Sequence, residues 1–113
     1  MSSAPEPSRT DRLISQLLLQ DGSLRDVVEE FVHGLDARLE ELRSAHERMD
    51  FDRLTLLAHQ LKGAAGSYGY PDMSRICAEM EQKFRAHQAD NFHVFLEQLA
   101  GLVRAARAGL AEP

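Results

Sequence analysis

The chain of 113 residues contains one cysteine and no tryptophan. A lone thiol, Cys77, cannot staple the fold to itself, so the chain reads as cytosolic, or at least indifferent to redox compartment. Basic residues are outnumbered, 13 Lys and Arg against 18 Asp and Glu, for a formal charge of −5. A nucleic-acid binder would carry a basic stripe to neutralise phosphates, and none is present. No apolar run approaches the roughly 18 residues that a membrane span needs, and the N-terminus lacks the basic and apolar regions of a secretory leader. A glycine-rich GxxxxGK[ST] loop is also missing, so neither a nucleotide site nor autokinase activity is expected. What is present suits one compact domain: 43% hydrophobic and 27% charged residues, enough for a core under a polar surface.

Two of the four prolines fall in residues 1–7 (MSSAPEP), a small polar stretch with nothing to bury, which reads as a disordered lead-in. Residues 8–110 are expected to form a single domain. Ser8 and Asp11 have capping-box spacing ahead of Leu13, Ile14, Leu17 and Leu18, and Gly22 is placed to close this short first helix. Ser23 and Asp26 repeat the capping spacing. Leu24, Val28, Phe31, Leu35, Leu39, Leu42, Ala45 and Met49 then recur at steps of three and four, which predicts one long helix interrupted mildly by Gly34. Asp50 is a candidate N-cap for a helix whose apolar set is Phe51, Leu54, Leu57, Ala58, Leu61, Ala65 and Tyr68, ended by Gly66, Gly69 and Pro71. Pro71 suits the first turn of the next, with Met73, Ile76, Cys77, Met80 and Phe84 on one face. Asp90 is placed to cap a last helix carrying Phe92, Phe95, Leu96, Leu99, Val103 and Ala106. No stretch alternates as a strand does. Four apolar stripes joined by short turns are most economically buried in an all-α, antiparallel up-down four-helix bundle, with the short extra N-terminal helix packed across one end.

Residues 58–69, AHQLKGAAGSYG, carry the chemistry. On a helical wheel centred on Leu54, Leu57, Ala58, Leu61, Ala65 and Tyr68, His59 falls about 140° from the core direction and Gly63 about 180°. Leu56 falls at about 200°, an apolar residue aimed at solvent. A mid-helix glycine costs roughly 1 kcal/mol against alanine, so a solvent-facing one asks for a reason. Gly63, at i+4 from His59, leaves the imidazole open to close approach, and Gly66 clears the next turn. Lys62, at i+3, puts a cation within reach of anything negative on the ring. Imidazole is the side chain most readily available as a neutral nucleophile near pH 7. Nucleophile, clearing and ammonium together describe a place to receive a phosphoryl group.

His59-Gln60-Leu61-Lys62-Gly63, followed by Gly69, resembles the HxLKG…G signature of histidine-containing phosphotransfer (HPt) domains. The flanking Asp50-Phe51-Asp52-Arg53-Leu54 and MSRICAEME from Met73 to Glu81 are similar to helices of that family, over roughly residues 24–88. The resemblance implies a phosphocarrier that accepts a phosphoryl group on Nε2 of His59 from a receiver-domain aspartate and passes it to another receiver. It implies receiver domains and a hybrid sensor histidine kinase as partners, Mg²⁺ supplied by the receiver, and no cofactor of its own. Lys62 would stabilise charge on the transferring group, and Gly69 would let the chain turn out of the helix. A docking face centred on His59 would include Thr55, Leu56, Gln60, Gly63, Gly66 and Ser67. One departure is Ala64-Ala65-Gly66, where many relatives carry a serine or another larger residue; Gly66 is expected to loosen the last turn.

Other residues read as structural. Cys77 aligns with Ile76 and Met80 as a buried, inert thiol. Glu30 and His33 have the spacing of a di-iron helix, but only Asp90 and His93 approximate the second pair required, so no metal site is expected. His46 and His87 have no companions in sequence and read as surface residues. The protein is expected to be a cytoplasmic monomer with no nucleic-acid or membrane partner. The rival reading is a helical module that binds a receiver or kinase, or dimerises, without transferring phosphate.

Overall fold

A computed structural model describes residues 12–111; the lead-in and the Ser8–Asp11 capping pair lie outside the described residues. All regular structure among the described residues is helical: α1 (Gln16–Gln20), a 3₁₀ turn (Gly22–Leu24), α2 (Arg25–His33), α3 (Leu35–Glu47), α4 (Phe51–Ser67), α5 (Pro71–Arg85) and α6 (Phe92–Ala111). Helix α4 packs most extensively on α5 and also on α3, while α6 closes the bundle against α5, α2 and α3. The expected bundle is thus present. Most of its core was picked out by the helical period, including Val28, Leu35, Leu42, Leu54, Leu61, Met73, Met80, Phe84 and Leu99. Burying each such side chain stabilises the fold by roughly 1.5–3 kcal/mol. Val32, Tyr70 and Ala105 are buried without having been expected, whereas Phe51, Tyr68 and Phe95 are only half-buried and Ile14 is exposed.

Several boundaries differ from those the sequence suggests. The long second helix is two, because Gly34 breaks it: its N–H is shared between the carbonyls of Glu30 and Phe31 at 3.2 and 3.1 Å, and α3 restarts at Leu35. Ser23 does not cap α2. Its amide and hydroxyl both donate to Oδ1 of Asp21, which forms the 3₁₀ turn instead. Gly22 opens that turn rather than ending α1, whose last turn closes on extended Asp21. Met49 leaves the core stripe, being exposed in a turn at φ 51°. Asp50 caps α4 as expected, accepting from the Arg53 amide at 3.1 Å, and Pro71 opens α5. Helix α6 begins at Phe92; the carbonyl of Asn91, not Asp90, accepts its first helical bond, from Phe95.

The histidines read as lone surface residues have aromatic companions. The His46 ring stacks on Phe92 at 3.9 Å with His93 at its edge, and burial with that neighbouring imidazole lowers its pKa. His87 is exposed but stacks on Phe51 at 4.9 Å. Cys77 is buried, and burial pushes its thiol up to about 12, far from reactive thiolate.

Helix α1 lies across the end where α4 stops and α6 finishes. Ser15, its cap, is buried; its hydroxyl donates to the Tyr68 carbonyl at 2.6 Å and accepts from the Leu18 amide. The Gln16 amide donates to Gly69 O and the Leu13 amide to Ala105 O. Arg25 reaches the Leu110 carbonyl. This tertiary anchoring, rather than a local capping box, decides where α1 starts.

Candidate functional site

Helix α4 turns Leu54, Leu57, Ala58, Leu61 and Ala65 inward, and the remaining register follows from that. His59, Gln60, Gly63, Gly66 and Ser67 are exposed with Leu56, while Thr55 and Lys62 are half-buried. Among the described residues, a Cβ placed on Gly63 would meet nothing within 4 Å, so the surface beside the imidazole is open. Gly66 stays helical and α4 continues to Ser67, so the last turn is not loosened. Ser74 of α5 lies opposite, its hydroxyl donating to the Lys62 carbonyl at 2.9 Å. Gly69 has a structural position away from this face. Its φ is +91°, and a Cβ there would come within 2.4 Å of the Leu17 amide nitrogen.

The residue that organises the site is Glu81, which reading the sequence missed. It sits on α5 between Met80 and Phe84 with its side chain 6% exposed, against 59% for His59. Oε2 lies 3.2 Å from His59 Nδ1, and Oε1 lies 2.9 Å from Lys62 Nζ. Arg85, one turn on, places Nη2 2.5 Å and Nε 3.2 Å from the same Oε2. The signal was present: a glutamate four residues after Cys77 and three before Phe84 occupies core-facing spacing, where a charge needs partners.

Those partners set its ionisation. The Arg85 guanidinium and then the Lys62 ammonium hold the carboxyl down to about 2, against the upward push of desolvation. An ionised carboxylate only accepts hydrogen bonds. Nδ1 of His59 must therefore carry the proton of that contact, and in the neutral ring the lone pair lies on Nε2, the atom turned away from Glu81. The arrangement follows the logic by which a buried acid fixes a histidine tautomer in nucleophilic catalysis. Beside the ring an open cleft is lined by Asp52, Thr55, Leu56, Arg85 and His87.

An exposed nucleophilic nitrogen, a fixed tautomer and two cations on one carboxylate narrow the chemistry to receiving an anion-bearing electrophile. Set against known protein families, residues 26–109 match the Hpt domain. The chain belongs to the Hpt domain family. Membership implies histidine phosphotransfer in a phosphorelay, with receiver domains and histidine kinases as the general partners of such domains. The match runs from α2 into α6 and so takes in the last helix, beyond the roughly 24–88 over which the sequence resemblance was drawn. Helix α1 precedes it. No curated protein and no solved structure matches the Hpt chain closely enough to name a nearer relative. Among the described residues, no group of three or more His, Cys, Asp and Glu side chains is placed to hold a metal ion. Nor is any helix among them long and apolar enough to cross a membrane.

Proposed function

We propose that this Hpt domain is a cytoplasmic, monomeric phosphocarrier. It accepts a phosphoryl group on Nε2 of His59 from the aspartyl phosphate of one receiver and returns it to the aspartate of another. The observation that carries the reading is the Nδ1 contact to buried Glu81, which leaves Nε2 as the exposed lone pair beside open Gly63.

In the forward step the Nε2 lone pair forms the N–P bond while the P–O bond to the receiver breaks, and the aspartate carboxylate leaves with that electron pair. The proton stays on Nδ1, so the ring acquires positive charge facing Glu81. In the return step a carboxylate oxygen of the second receiver's aspartate forms the new P–O bond while the N–P electrons go back to the ring, which departs as the same neutral tautomer. Lys62 supplies positive charge beside the transferring group. Both oxygens of Glu81 are already taken by cationic and imidazole donors, so Glu81 has no lone pair to spare for a divalent ion, and Mg²⁺ enters with the receiver, as the family resemblance implies. The docking face runs from Thr55 and Leu56 through Gln60 and Gly63 to Gly66 and Ser67, with a hybrid sensor kinase and response regulators as the source and destination.

The test compares wild type with His59→Gln in transfer from a phosphorylated receiver. Acid-labile, base-stable label on wild type and none on the folded variant is the expected result. A folded wild-type protein that takes no label from several receivers would leave a module that binds without transferring.

A further inference from the structure

Glu81 holds two cations, and it holds them differently. Among the described residues, Lys62 is the one partner of Oε1: that oxygen is closed to solvent and meets only the ammonium. Arg85 is on Oε2, which it shares with His59 Nδ1. Withdrawing Lys62 would strand a buried charged oxygen, an expensive vacancy. Withdrawing Arg85 leaves Oε2 still bonded to the imidazole. The exposures agree, 63% for the Arg85 side chain against 36% for Lys62. Of the two cations, it is Arg85 that lines the cleft beside the His59 ring.

We infer that Arg85 is the cation that leaves Glu81 to contact the phosphoryl oxygens in transit at His59 Nε2, while Lys62 stays on Oε1 and acts through its field. The inference rests on the reading of His59 as phosphoacceptor. Charge accounting favours the exchange. Once the N–P bond forms, the ring's positive charge takes over the compensation of Oε2, and the released guanidinium meets a dianionic group that suits its planar fork. Arg85 makes and breaks no covalent bond. Its contribution is greatest when charge on the phosphoryl oxygens is least neutralised by the donor, as with a small phosphodonor that brings no receiver side chains.

The probe is therefore phosphoramidate with the full chain, its N–P bond breaking and ammonia leaving as His59 is phosphorylated. The rate of phosphohistidine formation is followed by ³¹P NMR across donor concentrations. For Arg85→Gln we expect the limiting rate to fall about 10- to 100-fold, the scale of one hydrogen bond to a charged group. Arg85→Lys should recover part of that loss. Lys62→Gln should lower the melting temperature more than Arg85→Gln does, and slow the reaction less. Wild-type rates for Arg85→Gln beside a large loss for Lys62→Gln would overturn the inference and leave His59 as acceptor untouched. A wild-type protein that forms no phosphohistidine would instead remove the reading beneath it.

Discussion

Gly63 and Gly69 belong to the same helix-and-turn unit and serve opposite purposes. Around Gly63 there is open space, so the absence of a side chain keeps a surface available. Around Gly69 there is none, and the absence of a side chain lets α1 dock against the turn. Gly109, at the far end of α6, repeats the second use, since a Cβ there would fall 2.0 Å from the Leu13 carbonyl oxygen. The two regions differ in what fixes them. The His59 face lies within the family match, and its geometry comes from the register of α4. Helix α1 lies before that match and is held, against Gly69, Ala105 and Gly109 inside it, by backbone contacts that leave no room for an added atom. One residue type marks both an exposed working surface and a closed joint, and only the neighbours tell them apart.

The largest effect should come from violating the joint. Gly109→Ala drives a methyl group into the Leu13 backbone, so the segment carrying α1 must detach, at a cost of roughly 2–3 kcal/mol. Because the clash is local, the amides of Leu13 and Gln16, which bond Ala105 and Gly69, should lose their protection in hydrogen exchange. Core amides of α4 and α5 should keep theirs. Unchanged protection at Leu13 and Gln16 would mean that α1 is not held as described.

Acid should act next, and through the other region. Glu81 is depressed from 4.5 to about 2, so the folded form binds its proton less tightly than the unfolded chain. That contribution is complete above pH 4.5 and drains away as pH falls toward 2. His46, also lowered, is favoured neutral in the fold, so its contribution is complete above 6.5 and declines as pH falls below that. Melting temperatures of Glu81→Gln should therefore parallel wild type in the upper window and be flatter in the lower one. A variant that keeps the wild-type slope below pH 4.5 would show that Glu81 is not the group titrating there.

The same contrast explains how much could be read in advance. The bundle was legible because Leu54, Leu61, Met73, Met80 and Leu99 repeat at helical spacing, and so was the His59 face, because a register that buries Leu57 and Ala58 must expose His59 and Gly63. The start of α1 was not legible: Ser15 caps it because the Tyr68 carbonyl, far along the chain, holds the same hydroxyl. Glu81 was legible as a charge in a core position, but its three partners come from two helices, and only their packing assembles them. Gly34 looked like a mild interruption because propensity prices a glycine without saying whether the helices on either side share an axis.

Gly63→Ala tests the open side of the comparison with a smaller effect of opposite sign. With nothing within 4 Å of the new methyl group, alanine should stabilise the helix by about 0.5–1 kcal/mol. Phosphotransfer with a receiver should slow nonetheless, because the clearing beside the imidazole is filled. A variant that is both more stable and equally fast would show that Gly63 is not needed for approach.

The smallest effect on stability separates two neighbouring leucines. Leu56 is 44% exposed beside the His59 cleft, and Leu57 is 7% exposed in the core. Leu56 lies outside the core cluster, so Leu56→Glu takes nothing from it and adds the like charge of Asp52 at i−4, a few tenths of a kcal/mol. Thermal melting should move little, since surface substitutions stay within about 0.5 kcal/mol. On the proposed docking face receiver binding should weaken, because an apolar side chain one turn before His59 becomes a carboxylate. Leu57→Glu puts that carboxylate in the core without a partner and should prevent stable folding. Circular dichroism melts beside receiver titrations separate the two readings. Binding lost only with the fold would place Leu56 in the packing, whereas binding lost from an intact bundle would place it on the face through which His59 meets its partners.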